Sequence, residues 1–147
     1  MRGTILCWVN DRAHGRAALK AAAGLSDRLD LRLVLACVAD EADARACRDP
    51  RRREGAARLV AQLAAEHGLS DRAEVRPAVG DPFVLLGQMA AEEAADLIVI
   101  GAPAARRLRR SPESRLAEHL ESATTVPVLF VAERSGRRRL APRTARR

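Results

Sequence analysis

The sequence of 147 residues is poor in aromatic side chains and contains no long apolar run. It has no tyrosine, one tryptophan and two phenylalanines, so we expect an aliphatic core. No apolar run reaches the length of a membrane span, and the N-terminus lacks the apolar segment of a secretory signal peptide. We therefore expect a protein that stays in the cytoplasm and does not enter the membrane.

Metal-binding and redox motifs are also missing from the sequence. The three cysteines, Cys7, Cys37 and Cys47, form no CxxC pair, and no histidine stands at metal-ligand spacing from another ligand. Cys7 and Cys37 lie inside apolar runs, where a free thiol usually acts as a small hydrophobic side chain. We predict no metal site and no redox role.

Sequence motifs of common nucleotide-dependent enzymes are absent as well. There is no GxxxxGK[ST] loop, no GxGxxG after the first apolar run, and no SGG or HxGH motif. No Ser-His-Asp arrangement is evident, and Lys20 stands on an alanine-rich helical segment where a solvent-facing charge is expected. We predict that the protein is not an enzyme and assign no catalytic residue.

The excess of positive charge lies at one end of the chain. Residues 134–147 hold seven of the 26 basic residues and none of the 19 acidic ones, so the remainder is neutral by formal count. We predict one domain over residues 1–133 and a disordered arginine-rich tail over residues 134–147. The tail could bind nucleic acid weakly and without sequence preference, although no aromatic side chain is interleaved for base stacking.

Short apolar runs alternate with segments of helical periodicity along the domain. The runs predict five strands, at Thr4–Val9, Leu31–Val38, Glu74–Val79, Leu97–Ile100 and Pro127–Val131. Such a β-α-β order predicts an α/β fold with a parallel sheet and helices on both faces. Ligands of such sheets bind at the carboxyl ends of the strands, near the point where the strand order reverses.

Proline and glycine mark several element boundaries. Pro77 cannot donate to a β-ladder, so its strand is expected at a sheet edge. Gly68 is a candidate C-terminal cap, and Asp81-Pro82 and Ser111-Pro112 each read as an N-cap followed by proline. The last helix is predicted to carry Leu116, Leu120 and Ala123.

The order and spacing of these segments resemble the universal stress protein family over residues 3 to about 132. The matching stretches are ILCWVNDRAHGRAAL, LRLVLACVAD, VGDPFVLLGQMAAEEAADLIVIGAP and TVPVLFVAE. The resemblance implies a three-layer α/β/α sandwich, Rossmann-like and similar to adenine nucleotide alpha hydrolases, with strand order 3-2-1-4-5. It also implies a homodimer that pairs through the last strand, Pro127 to Val131.

Family members that bind ATP carry an Asp after the first strand and a G-x-x-G-x9-G-S/T run after the fourth. This chain has Asn10 followed by Asp11 at the first place, and only Gly101 matches the start of the second motif. Ala104, Ser114 and Arg115 replace its remaining positions, while Val38 matches a position that lies against adenine in the binders. Since alanine and serine resist the backbone conformations of glycine, we expect ATP binding to be weak or absent.

The loop after Gly101 is rich in arginine, and two interpretations of it remain open. Guanidinium groups bind phosphate oxygens in pairs, so the loop could form an anion site for ATP, AMP or another small phosphorylated ligand. Alternatively, the loop is a solvated basic segment whose charges offset acids such as Glu92, Glu93 and Glu113. The arginines concerned are Arg106, Arg107, Arg109, Arg110 and Arg115.

Two functions follow from these observations. The favoured one is a stress-response protein that acts by binding or regulation rather than catalysis. The alternative is a nucleotide-responsive switch that uses the arginine-rich loop.

Overall fold

The computed structural model describes residues 3–9, 13–40, 50–102 and 112–132, which form an alternating series of strands and helices. The predicted tail, residues 134–147, lies outside the described residues. The elements, labelled in chain order, are β1 (Thr4–Trp8), α1 (Ala13–Leu29), β2 (Arg32–Asp40), α2 (Pro50–Glu66), β3 (Ala73–Gly80), α3 (Pro82–Glu92), β4 (Leu97–Ala102), α4 (Pro112–Ala123) and β5 (Val128–Ala132).

The five strands form one parallel sheet in the order β3-β2-β1-β4-β5, as predicted. β1 is central and pairs Leu6 with Val34 of β2 and with Ile98 of β4. β3 lies at one edge, where Pro77 pairs with Cys37, and this confirms the position inferred from the missing donor of proline. β5 forms the opposite edge.

Each face of the sheet packs against its own pair of helices. On one face, α1 and α2 cover odd-numbered residues of the central strands, including Ile5, Leu35 and Val99. On the other face, α3 and α4 cover even-numbered residues, including Leu6 and Ile98. Because successive side chains of a strand point to opposite faces, both faces of the central strands can be apolar.

The ends of two helices have the capping geometry that the sequence indicates. Gly68 has a positive φ of 69° just after α2, and the next residue, Leu69, donates its N–H to the carbonyl oxygen of Ala64 at 2.8 Å. The Asp81 carboxylate accepts a hydrogen bond from the N–H of Phe83 at 2.9 Å, with Pro82 as the first residue of α3.

The helix α4 carries the three apolar residues assigned to it from the sequence, and two of them are buried. Leu116 and Leu120 are fully buried, but Ala123 is exposed and Ala117 takes the third buried position. Ala123 is the final residue of α4, where the chain turns away toward β5, so it no longer faces the sheet.

None of the described helices is long and apolar enough to cross a membrane.

Candidate functional site

The topology singles out the carboxyl ends of β1 and β4 as the place for a ligand. These two strands are neighbours, yet the helices that follow them, α1 and α4, cover opposite faces of the sheet. The connections that follow β1 and β4 therefore diverge, and in sheets of this kind the divergence leaves a crevice at the carboxyl edge. We call this place the switch point. The described residues at these two strand ends are Trp8, Val9, Gly101 and Ala102.

On the β1 side, the backbone stays bonded to the sheet one residue beyond the strand. The N–H of Val9 donates to the carbonyl oxygen of Ala36 at 2.9 Å, and the Val9 side chain is buried. This bond fixes the direction in which the chain leaves the sheet. Asn10 and Asp11 follow directly but lie outside the described residues, so their predicted role in ligand binding stays a prediction.

On the β4 side, the strand is two residues longer than predicted. Gly101 pairs with Val131 and Ala102 pairs with Ala132, so Gly101 belongs to the sheet and does not open the turn. The apolar run predicted that the strand ends at Ile100, but the ladder to β5 continues through Gly101 and Ala102. Any phosphate-binding loop therefore starts after Ala102.

Most of the predicted loop residues fall outside the described part of the chain. They are Ala104, Arg106, Arg107, Arg109 and Arg110.

Ser114 and Arg115 lie in the first turn of α4, the helix that follows this loop. Ser114 is the third residue of the helix and is half-buried, and Arg115 is exposed. The first N–H groups of a helix have no partner within it and favour anions. The structure therefore places these two predicted site residues on the element that follows β4.

The second strand was predicted to end at Val38, but it continues beyond this residue. β2 continues to Asp40 because β3 extends alongside it, with Val38 paired to Ala78 and Asp40 to Gly80. The predicted adenine-contacting position thus lies two residues before the end of the strand.

Sequence analysis missed Trp8, the last residue of β1. Trp8 pairs with Ala36 on one side and with Ile100 on the other, and its half-buried side chain packs against the core beneath α3 and α4. Its indole Nε1 is buried and has no hydrogen-bond partner among the residues described. Its place two residues before Asn10 was the one signal available in the sequence.

Charged side chains gather at the opposite end of the sheet, around the end of α3. Arg32 donates to both Glu74, at 2.6 Å, and Glu93, at 2.7 Å. Arg76 donates to Glu93 at 3.2 Å and to Glu92 at 3.1 Å. The hydrogen bond from Arg32 holds the pKa of the Glu74 carboxyl below its usual value.

This cluster corrects one interpretation of the arginine-rich loop. Glu92 and Glu93 were candidates to offset its charge, but they follow β3 and precede β4, at the amino end of the sheet, and pair with Arg76 and Arg32. Glu113, the third candidate, has no described side chain.

The two described cysteines are hydrophobic core residues. Cys7 is fully buried, and burial raises the pKa of its thiol to about 12. Burial also raises the pKa of Cys37. Since the thiolate is the reactive form, neither side chain is suited to act as a nucleophile. No group of three potential metal ligands occurs among the residues that the structure describes.

Comparison with known proteins connects this architecture to one family. The sequence profile of the universal stress protein family matches residues 1–132. A search among curated proteins finds no match.

Solved structures of the same fold align over nearly their full length. The hypothetical protein MJ0577 is 18% identical with a TM-score of 0.71, and the alignment covers 92% of this chain and 99% of that one. A universal stress protein in complex with cAMP is 19% identical, with a TM-score of 0.65 and coverage of 90% and 98%. UspA from Lactobacillus plantarum is 19% identical, with a TM-score of 0.59 and coverage of 89% and 99%. At these identities the likeness shows the fold.

Proposed function

Because the chain belongs to the universal stress protein family, we propose that it is a cytoplasmic stress-response protein that acts by binding rather than by catalysis. The observation that carries this proposal is the composition of the switch point. The described residues there are Trp8, Val9, Gly101 and Ala102, and these residue types supply no acid, base or nucleophile at neutral pH. What they can offer to a bound molecule is their backbone groups and the half-buried side chain of Trp8.

The ligand proposed for this edge is a nucleotide. One protein of the same fold was solved in complex with cAMP, which supports this ligand class. Asn10 is a poorer Mg²⁺ ligand than a carboxylate, and Ala104 and Ser114 stand where glycines would let the backbone approach a phosphate chain. The expected binding is therefore weak and depends on the base and ribose more than on the number of phosphates.

A second candidate is a nucleotide-responsive switch in which arginines replace the glycine cradle. It is favoured by Arg115, which is exposed in the first turn of α4 and makes no ion pair with another described residue. Bidentate contacts from Arg115 and from arginines of the preceding loop would raise the affinity for the nucleotide with each added phosphate.

A titration series distinguishes the two candidates. Adenosine, AMP, ADP and ATP are titrated into the protein by calorimetry, with tripolyphosphate as the probe without a base. The first candidate predicts similar, weak affinities for the four adenine ligands. The switch predicts affinity that rises with each phosphate and falls in Arg115→Ala.

Arg58→Ala is the matched control, because Arg58 is an exposed arginine on α2, on the other face of the sheet. It should leave the series unchanged. If no ligand of the series binds at millimolar concentration, nucleotide binding is refuted. Chromatography of the denatured protein, which reveals any co-purified nucleotide, provides an independent check.

We further propose that the protein forms a homodimer through β5. This strand is a sheet edge, and Leu129 on it is 38% exposed. Exposed apolar edge strands tend to pair with another chain. A two-fold axis would place the two copies of β5 antiparallel, so that the sheet continues across the dimer.

A further inference from the structure

Trp8 occupies the centre of the carboxyl edge of the sheet. It ends the middle strand, between Ala36 of β2 and Ile100 of β4, and Gly101 follows Ile100 directly. The next residue of β1, Val9, points to the opposite face and is buried in the other core. Trp8 is therefore the large side chain that β1 presents on the α3–α4 side of the switch point.

The indole N–H of Trp8 is a buried donor without an acceptor among the described residues. An indole nitrogen can only donate, and buried donors in folded proteins nearly always have a partner. A donor left unpaired loses its hydrogen bonds to water and gains nothing in return. An acceptor on a bound molecule would remove this cost.

The surroundings restrict what that acceptor can be. Trp8 packs against a cluster of aliphatic residues that includes Leu6, Val34, Ala36 and Ile100. A water molecule in such a site would need two to four polar partners, and these side chains offer none. A phosphate would bring charge into apolar surroundings at high cost. A neutral acceptor on a flat heteroaromatic ring fits both the donor and the apolar cluster.

We infer that the Trp8 indole N–H donates a hydrogen bond to a neutral acceptor, a ring nitrogen or a carbonyl oxygen, on the base of a bound nucleotide. Trp8 is then a specificity-determining residue, because bases differ in where they carry an acceptor. This inference rests on the proposed binding of a nucleotide at the same edge. It adds a contact that holds the base, separate from the residues that would hold ribose and phosphates.

The test measures base selectivity with and without the N–H. AMP, GMP, CMP and UMP are titrated by calorimetry into the wild-type protein, into Trp8→Phe, and into protein whose Trp8 indole is replaced by its sulfur isostere, benzothiophene. Both variants remove the donor, and the isostere also keeps the size and shape of the side chain. The nucleotide that binds wild type best should bind each variant about two- to tenfold more weakly. In both variants, the difference in affinity between that nucleotide and the other three should become smaller.

Fluorescence provides a second measurement that needs no variant. Trp8 is the only tryptophan and the chain has no tyrosine, so the intrinsic emission reports on this one side chain. A saturating nucleotide should change the emission of wild-type protein. Ribose 5-phosphate, which lacks the base, should not change it at the same concentration.

The outcomes separate this inference from the proposed function. If wild type binds a nucleotide and both variants match its affinities and preference, Trp8 does not contact the base, although nucleotide binding stands. Unchanged Trp8 emission at saturation would overturn the contact in the same way. If none of the four nucleotides binds wild type at millimolar concentration, both the proposed nucleotide binding and the role of Trp8 are refuted.

Discussion

Thr4 and Asp96 are joined by two reciprocal hydrogen bonds at the start of the two central strands. The N–H of Thr4 donates to Oδ2 of the Asp96 carboxylate at 2.9 Å, and the N–H of Asp96 donates to the carbonyl oxygen of Thr4 at 2.8 Å. The strands β1 and β4 are far apart in sequence, and this pair links them at the end of the sheet that is remote from the switch point.

Removal of the Asp96 carboxylate should destabilise the fold. In Asp96→Ala the N–H of Thr4, a buried residue, loses its acceptor, and we expect the free energy of unfolding to fall by about 1–2 kcal/mol. Urea denaturation measures this change. Asp71→Ala, at an exposed turn residue, is the control and should be nearly neutral. Equal stabilities of the two variants would contradict the assigned bond.

A methyl group at Gly3 should disturb the same pair. A Cβ atom there would lie 2.8 Å from Asp96 Oδ2 and 2.9 Å from Cδ2 of Leu31, closer than real contacts allow. Both atoms are ends of side chains that can shift, so the cost is the hydrogen bond that the carboxylate loses when it moves away from Thr4, and Gly3→Ala should lower the free energy of unfolding by about 0.5–1.5 kcal/mol.

Gly24→Ala is the matched control with the opposite sign. Gly24 lies within α1 and a Cβ atom there meets nothing within 4 Å, so alanine should stabilise the helix by about 0.5–1 kcal/mol. Thermal unfolding of both variants gives the comparison. A stabilised Gly3→Ala protein would contradict the close approach.

The pair of Arg32 and Glu74 should make stability depend on pH. The hydrogen bond lowers the pKa of Glu74 in the folded state, so its contribution is present above the ordinary value of 4.5 and is lost as pH falls through the lowered value. Glu74→Gln should therefore be less stable than wild type at neutral pH, by at most about 1 kcal/mol because the pair is exposed. The difference should vanish in strong acid.

Urea denaturation over a range of pH measures this effect. Glu118→Gln is the control, since Glu118 is exposed and its side chain makes no ion pair within the described ranges. A stability difference for Glu74→Gln that stays constant down to strong acid would refute the role of this pair.

The proposed dimer predicts that the mass in solution falls when a charged residue is introduced into β5. Light scattering of the wild-type protein at micromolar concentration should give twice the chain mass of 15.9 kDa. Leu129→Lys should give a monomer, because two lysines would face each other near the two-fold axis.

Val84→Lys is the control for the dimer. Val84 is 49% exposed, and it lies on α3 rather than at the sheet edge, so its charge should leave the dimer intact. A monomeric wild-type protein would refute the proposal.

Much of the fold could be predicted because single residues determine local geometry. Pro77 indicates an edge strand, Gly68 a helix end and Asp81 a helix start, and the structure agrees at all three. The prediction failed at strand ends, because pairing with a segment distant in sequence determines where a strand stops. β2 and β4 each run two residues further than predicted because β3 and β5 extend alongside them.

The candidate site was less predictable than the fold. The place of α4, which carries Ser114 and Arg115, follows from the element order, but Gly101 lies within β4 and not in the turn. The isolation of the Trp8 indole N–H depends on which residues surround it in space, and no sequence pattern gives that information. The predicted roles of the loop residues, Asn10 and Arg106 among them, stay predictions.

The ion-pair cluster at the amino end of the sheet has a consequence for how this chain can change. Arg32, Arg76 and Glu93 link β2, β3 and the end of α3, while Thr4 and Asp96 link β1 to β4 at the same end. The side-chain bonds that tie these elements together thus lie at the end of the sheet remote from the segments that would contact the proposed ligand. We therefore expect substitutions after β1 and β4 to alter ligand preference without removing these bonds.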